Sequence, residues 1–196
     1  MMWDEGIGIV EGLVRCFIAV DVYDQALKER ILEVQRRLES LDAKFTFVEP
    51  EKMHITLKFL GEISDLKIRE IRKSLGDLRF PPFNLGLKGM GVFPNPNRPR
   101  VVWIGVSEGA DEISRLAEMV DDSLGRLGFP REAKGFKPHL TIARVKRGGG
   151  AALAEILREY SLREFGASRV ESIKLKESTL TPKGPIYTTL HEWKAS

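Results

Sequence analysis

His54-Ile55-Thr56-Leu57 and, 85 residues further on, His139-Leu140-Thr141-Ile142 decide how this chain of 196 residues folds. Each reads as a strand, with polar and apolar residues in alternation. Residues i and i+2 of a strand share a face. His54 and Thr56 therefore project one way, while Ile55 and Leu57 point into a core. His139 and Thr141 do the same over Leu140 and Ile142. With three histidines and 7 threonines in the chain, a threonine two places after two of those histidines has odds of roughly 0.4% by composition alone.

Outward from these strands the same order of elements occurs twice. Arg15 to Val20 is a buried strand. Asp21 or Asp24 caps a helix that runs to about Leu41, with Leu27, Ile31, Val34, Leu38 and Leu41 along one side. Lys44 to Val48 is short and extended, and Pro50 ends it. Met53 to Leu60 is the strand of His54. A helix covers about 66–78, and Phe83 to Gly89 is the next strand. Three prolines in Pro94-Asn95-Pro96-Asn97-Arg98-Pro99 enforce a loop. Beyond it come a strand at Val101 to Val106, a helix at Asp111 to Leu127, the strand of His139 to Val145 and a helix at Ala151 to Tyr160. A strand at Val170 to Thr179 turns at Pro182-Lys183-Gly184-Pro185 into a hairpin partner at Ile186 to Trp193.

Equivalent points keep a near-constant offset: 86 residues from Ile18 to Ile104, 87 from Asp24 to Asp111 and 85 between the histidines. This predicts an α+β fold built as an internal β-α-β-α-β duplication. A single bilobal domain over 14–196 has two pseudo-symmetric lobes, roughly 14–93 and 100–196. Mainly antiparallel sheets flank a central groove, helices lie outside, and each histidine sits on a central strand of its own sheet. The C-terminal hairpin strand is the candidate to cross between lobes. Clefts between lobes are favoured ligand sites.

Two imidazoles and two hydroxyls facing one groove suit a phosphodiester. Threonine hydroxyls can donate to non-bridging oxygens. With a pKa near 6.5, one imidazole can accept a proton from water or an alcohol while the other gives one to the departing oxygen. Two histidines without a carboxylate ligand make a poor zinc site, and neither metal nor cofactor is expected. His191 lacks a threonine partner and reads as an ordinary strand residue.

The rest of the composition sets bounds. Hydrophobic residues make up 42% and charged residues 30%, which excludes collagenous and wholly disordered chains. The formal charge of +3 is compatible with an anionic ligand. The single Cys16 excludes an internal disulfide and sits in an apolar run, as expected in a reducing cytoplasm. No apolar run approaches the roughly 18 residues of a membrane span. Met1 to Val14 contains Asp4 and Glu5 but lacks the basic start of a secretory signal until Arg15.

His54-Ile55-Thr56-Leu57-Lys58-Phe59-Leu60-Gly61 and Lys137-Pro138-His139-Leu140-Thr141-Ile142-Ala143-Arg144, together with Pro99-Arg100-Val101-Val102-Trp103, resemble the two-histidine phosphoesterase superfamily. Within it the resemblance is to the RNA 2′,3′-cyclic phosphodiesterase, or 2′-5′ RNA ligase, branch. It covers about nine-tenths of the chain; residues 1–13 fall outside it, as an N-terminal extension, and Val14 stands where members usually begin. The resemblance implies that His54 is the general acid at the leaving 3′ oxygen and His139 the general base on water. Thr56, Thr141 and Arg144 would hold phosphate, and the product would be a 2′-phosphomonoester. Arg144 has the wrong parity for the face of His139, so a bulge or a strand end would have to re-aim it. Lys58 has the right parity to add charge. Phe93 and Phe136 are candidates to stack on a base, and Arg98, Arg100, Lys134, Lys137 and Lys146 to follow an RNA backbone. The expected partners are RNA ends or nucleotides bearing 2′,3′-cyclic phosphate, with no membrane and no obligate protein partner. Ligation through a 5′-hydroxyl, or RNA binding without turnover, are the competing readings.

Overall fold

The computed structural model describes residues 12–131, 135–182 and 184–196. The expected extension lies outside them, apart from Gly12 and Leu13. The first half runs β1 (Val14–Asp21), α1 (Gln25–Glu39), β2 (Ala43–Phe47), a 3₁₀ turn (Pro50–Lys52), β3 (His54–Ile63), α2 (Asp65–Ser74) and β4 (Phe83–Phe93). The second runs β5 (Val101–Val106), α3 (Ala110–Gly125), β6 (His139–Gly148), α4 (Gly150–Glu159), β7 (Glu164–Val170), β8 (Ser172–Thr181) and β9 (Gly184–Lys194).

Local chemistry accounts for most boundaries. The Asp24 carboxylate accepts from the Leu27 amide at 2.7 Å and caps α1, and the Ser64 hydroxyl caps α2. The latter helix stops at Ser74 instead of the expected 78, because the Gly76 and Leu78 amides donate only three residues back, to Lys73 and Leu75, and close tighter turns. One strand escaped the sequence reading. Where a single strand was expected from Val170 to Thr179, the chain forms β7 and then β8, broken at Glu171. In β7 the buried residues are Phe165, Ser168 and Val170, around a Gly166 at φ 117°. That spacing lacks the period of two by which strands are recognised.

All strand pairings among the described residues are antiparallel, in two sheets ordered β3-β1-β8-β9 and β2-β6-β5-β4-β7. The two orders correct the expected lobes of 14–93 and 100–196. β4 leaves the first half to pair with β5 and β7, while β8 and β9 leave the second to extend β1. The first repeat thus gives its last strand, and the second its last two, to the other sheet. The exchange puts β1 and β5 inside and leaves β3 at an edge, so His54 is not on a central strand. β6 would be an edge too, had β2 not covered it.

The helices exchange as well. α1 packs on β2, β6 and β7, and α3 packs on β3. Their buried stripes are the same stripe twice: Leu27, Ile31, Val34 and Leu38 against Ile113, Ala117, Val120 and Leu124. One continuous apolar core joins both halves, and β3 lies against β6.

Candidate active site

The histidine strands carry the same irregularity. Between β1 and β3, Ala19 faces Thr56 and Ile18 faces Lys58, leaving Leu57 without a partner. Between β5 and β6, Trp103 faces Thr141 and Val102 faces Ala143, leaving Ile142 without one. Each is a bulge that turns two successive residues inward. Leu57 and Lys58 are both buried, as are Ile142 and Ala143. The fifth residue after each histidine then emerges on the histidine face: Arg144 in one strand, Phe59 in the other, both exposed.

The bulge also turns Lys58 inward, at the border of the cleft between the sheets. Its ammonium is buried, pairs with Asp121 of α3 and donates to the Pro130 carbonyl at 2.7 Å. In the second sheet the equivalent place is the small Ala143. Lys58 is therefore part of the scaffold, and the expectation that it adds charge to the site is corrected.

Both imidazoles are held alike. His54 Nδ1 donates to the Lys52 carbonyl at 2.7 Å, and His139 Nδ1 donates to the Lys137 carbonyl at 2.6 Å. A carbonyl can only accept, so Nδ1 carries the proton in each ring and Nε2 is left for chemistry. Burial lowers both pKa values below the ordinary histidine range, opposed by these carbonyl bonds. Around His54, Lys176 and Arg144 lower it further and Asp21 raises it. The charge of Arg144 thus reaches His54 although the two stand on different sheets.

The walls behind the rings differ. His54 lies against Phe17 at 4.9 Å and Tyr187 at 5.1 Å. His139 meets the edge of Phe93 at 5.0 Å, and Phe93 packs on Trp103 at 5.2 Å. Trp103 lies over Gly91, where an added Cβ would fall 2.2 Å from the indole. A cleft of about 480 Å³ joins the sheets, lined by Thr56, Phe59, Phe93, Phe136, Lys137 and His139 among others. Phe93 is committed to backing His139, and Phe136 is half-buried against the core. Phe59, by contrast, is 63% exposed. The sequence reading passed over it, although its place five residues after His54 mirrors Arg144 after His139. Arg98, Arg100, Lys137 and Lys146 are exposed, and Lys134 lies outside the described residues. His191 is on the opposite face, its ring against Trp193 at 4.6 Å.

Two exchanged sheets each present an imidazole and a hydroxyl, groups suited to acid–base chemistry on a phosphoester. The LigT-like phosphoesterase family matches the chain twice in tandem, over residues 20–103 and 104–187, and the chain belongs to that family. An RNA 2′,3′-cyclic phosphodiesterase of Archaeoglobus fulgidus is 46% identical over 90% of this chain and 98% of its own. One from Methanothermobacter thermautotrophicus is 42% identical over 92% and 98%. Among solved structures, a Thermus thermophilus protein superposes with a TM-score of 0.78 at 31% identity, covering 92% of this chain and 97% of its own. E. coli LigT in complex with 3′-AMP superposes at 0.73 and 26% identity, covering 94% and 99%.

Proposed function

We propose that this protein hydrolyses the 2′,3′-cyclic phosphate at the end of RNA, or on a nucleotide, to a 2′-phosphomonoester, with His54 as acid and His139 as base. The observation that carries this reading is the matched pair of imidazoles, each fixed through Nδ1 and, among the described residues, with no hydrogen bond at Nε2. The relatives named RNA 2′,3′-cyclic phosphodiesterase support the choice of substrate. Water loses a proton to His139 Nε2 as its oxygen attacks phosphorus. The bond from phosphorus to O3′ breaks, and O3′ takes the proton of His54 Nε2. Thr56 and Thr141 donate to the non-bridging oxygens, and Arg144 offsets the charge that builds there. Both proton transfers belong to side chains, so no metal enters the scheme. Phe59 is the best placed of the three phenylalanines to stack on a base. The lone buried Cys16 suits a reducing cytoplasm.

The test is hydrolysis of a nucleoside 2′,3′-cyclic phosphate in EDTA, with the product identified. His54→Ala and His139→Ala are each expected to lose at least about 10²-fold in kcat. A good leaving group at the 3′ position should rescue His54→Ala far more than His139→Ala. Rescue of His139→Ala instead reverses the two roles, and full activity in both variants removes the mechanism.

A further inference from the structure

Tyr187 reaches the site from the far edge of its sheet. β9 stands three strands from β3, yet the Tyr187 ring lies edge-on to His54 at 5.1 Å and to Phe17 at 5.2 Å. Sheet twist and curl bring it there. The Tyr187 hydroxyl makes no hydrogen bond among the described residues. Arg15 stands two residues before Phe17 on β1 and so shares its face. The Lys176 ammonium of β8 lies over the Tyr187 ring at 5.9 Å and is already paired with Asp21 at 2.6 Å. Arg144 of β6, Lys52 of the 3₁₀ turn and Arg15 add positive charge at the hydroxyl. Arg15 and Arg144 are exposed and, among the described residues, have no carboxylate partner. Lys52 has one, Glu49 at 2.8 Å, a partly exposed pair that competes only weakly with an anion. The Lys52 backbone is fixed at the site, because its carbonyl accepts from His54. Cations gathered round an unfilled hydroxyl repel one another, and an anion relieves that repulsion.

We propose that Tyr187, Arg15 and Lys52 form a second phosphate subsite, one ribose away from the cyclic phosphate, that holds the 5′ phosphate of the terminal nucleotide. The proposal rests on the cyclic phosphodiesterase reading above. Arg15 offers a planar fork, Lys52 a point charge and Tyr187 a hydroxyl donor, a set suited to a phosphate oxygen cluster. Arg144, on the strand of His139, stays with the scissile phosphate. The preferred substrate is then the 3′ end of an RNA chain, or a 5′-phosphorylated nucleotide, over a cyclic nucleotide with a free 5′-hydroxyl.

The experiment compares kcat/KM on adenosine 2′,3′-cyclic phosphate with and without a 5′ phosphate. The phosphorylated compound is expected to be favoured about tenfold, the effect of a charge-assisted contact. Arg15→Ala alters an exposed side chain, and Tyr187→Phe keeps the ring against His54. Each should bring the ratio below about threefold. A ratio of one in the unaltered protein, or a ratio that neither substitution moves, overturns the subsite. Failure to hydrolyse either compound overturns the cyclic phosphodiesterase reading instead. Calorimetry then decides the subsite with adenosine 2′,5′-bisphosphate against adenosine 2′-phosphate. The same preference, lost in Arg15→Ala, supports it, and equal affinities refute it.

Discussion

His54 and His139 do the same thing with the same atom: each donates its Nδ1 proton to the carbonyl two residues earlier. That bond sets the tautomer, and burial sets the pKa, lowering both below the ordinary value near 6.5. In the proposed reaction the base must be neutral and the acid protonated, so the two pKa values bound the active form. With both lowered, the kcat/KM profile of the free enzyme is expected to peak below pH 6.5. Bound phosphate is an anion beside both rings and favours their charged forms, so the kcat profile should be displaced to higher pH. Steady-state kinetics across pH checks this, and a kcat/KM maximum above pH 7 would contradict it. Lys58 shows the opposite fate of a polar residue in the same strand. A buried ammonium keeps its charge only with partners, and Asp121 and the Pro130 carbonyl supply them.

At the scale of elements, the two bulges are held by the two exchanged helices. Gln35 of α1 is buried, and its side-chain amide donates to the Val48 carbonyl at 2.8 Å and the Ile142 carbonyl at 2.9 Å. Ile142 is the residue the bulge leaves without a partner. By the offset of the buried stripes, the counterpart of Gln35 in α3 is Asp121, which holds Lys58 beside the other bulge. Gln35→Leu removes two donors from buried carbonyls and releases the bend that aims Arg144. It should lower kcat/KM about tenfold in the unaltered protein and hardly at all when Arg144 is already alanine. A double-mutant cycle measures the coupling. Equal losses in both backgrounds would mean that Gln35 supports the fold without directing Arg144.

At the scale of the whole molecule, the exchange of β4 with β8 and β9 makes the halves interdependent. A fragment ending in the proline loop, residues 12–96, would hold β4 without β5 or β7 and β1 without β8. Its apolar stripe on α1 would lose most of the sheet it covers. Such a fragment is expected to show no cooperative thermal unfolding, because unpaired inner strands and an uncovered helix face cannot meet the entropy of ordering. Circular dichroism on heating tests this, and a sharp transition in the isolated fragment would refute it. The interdependence also suits function. The cleft joins residues from both sheets, and an exchanged architecture keeps the two histidine strands from drifting apart.

The repeated His-x-Thr pattern, the helix stripes and the near-constant offset were legible in the residues, because alternation, helical periodicity and capping depend on neighbours along the chain. They were enough to show two matched strands, each with an imidazole and a hydroxyl on one face. The sequence also showed that Arg144 needed re-aiming, by a bulge or a strand end, since its parity is arithmetic; the structure chose the bulge. Three things waited for the tertiary structure: which strands change sheets, that Leu57 is passed over so that Lys58 turns inward, and that Phe59 and Tyr187 arrive beside the histidines. Each depends on the register of a strand against a partner distant in sequence. Pairing of that kind is settled by the packing of the whole core, so no short stretch of residues records it.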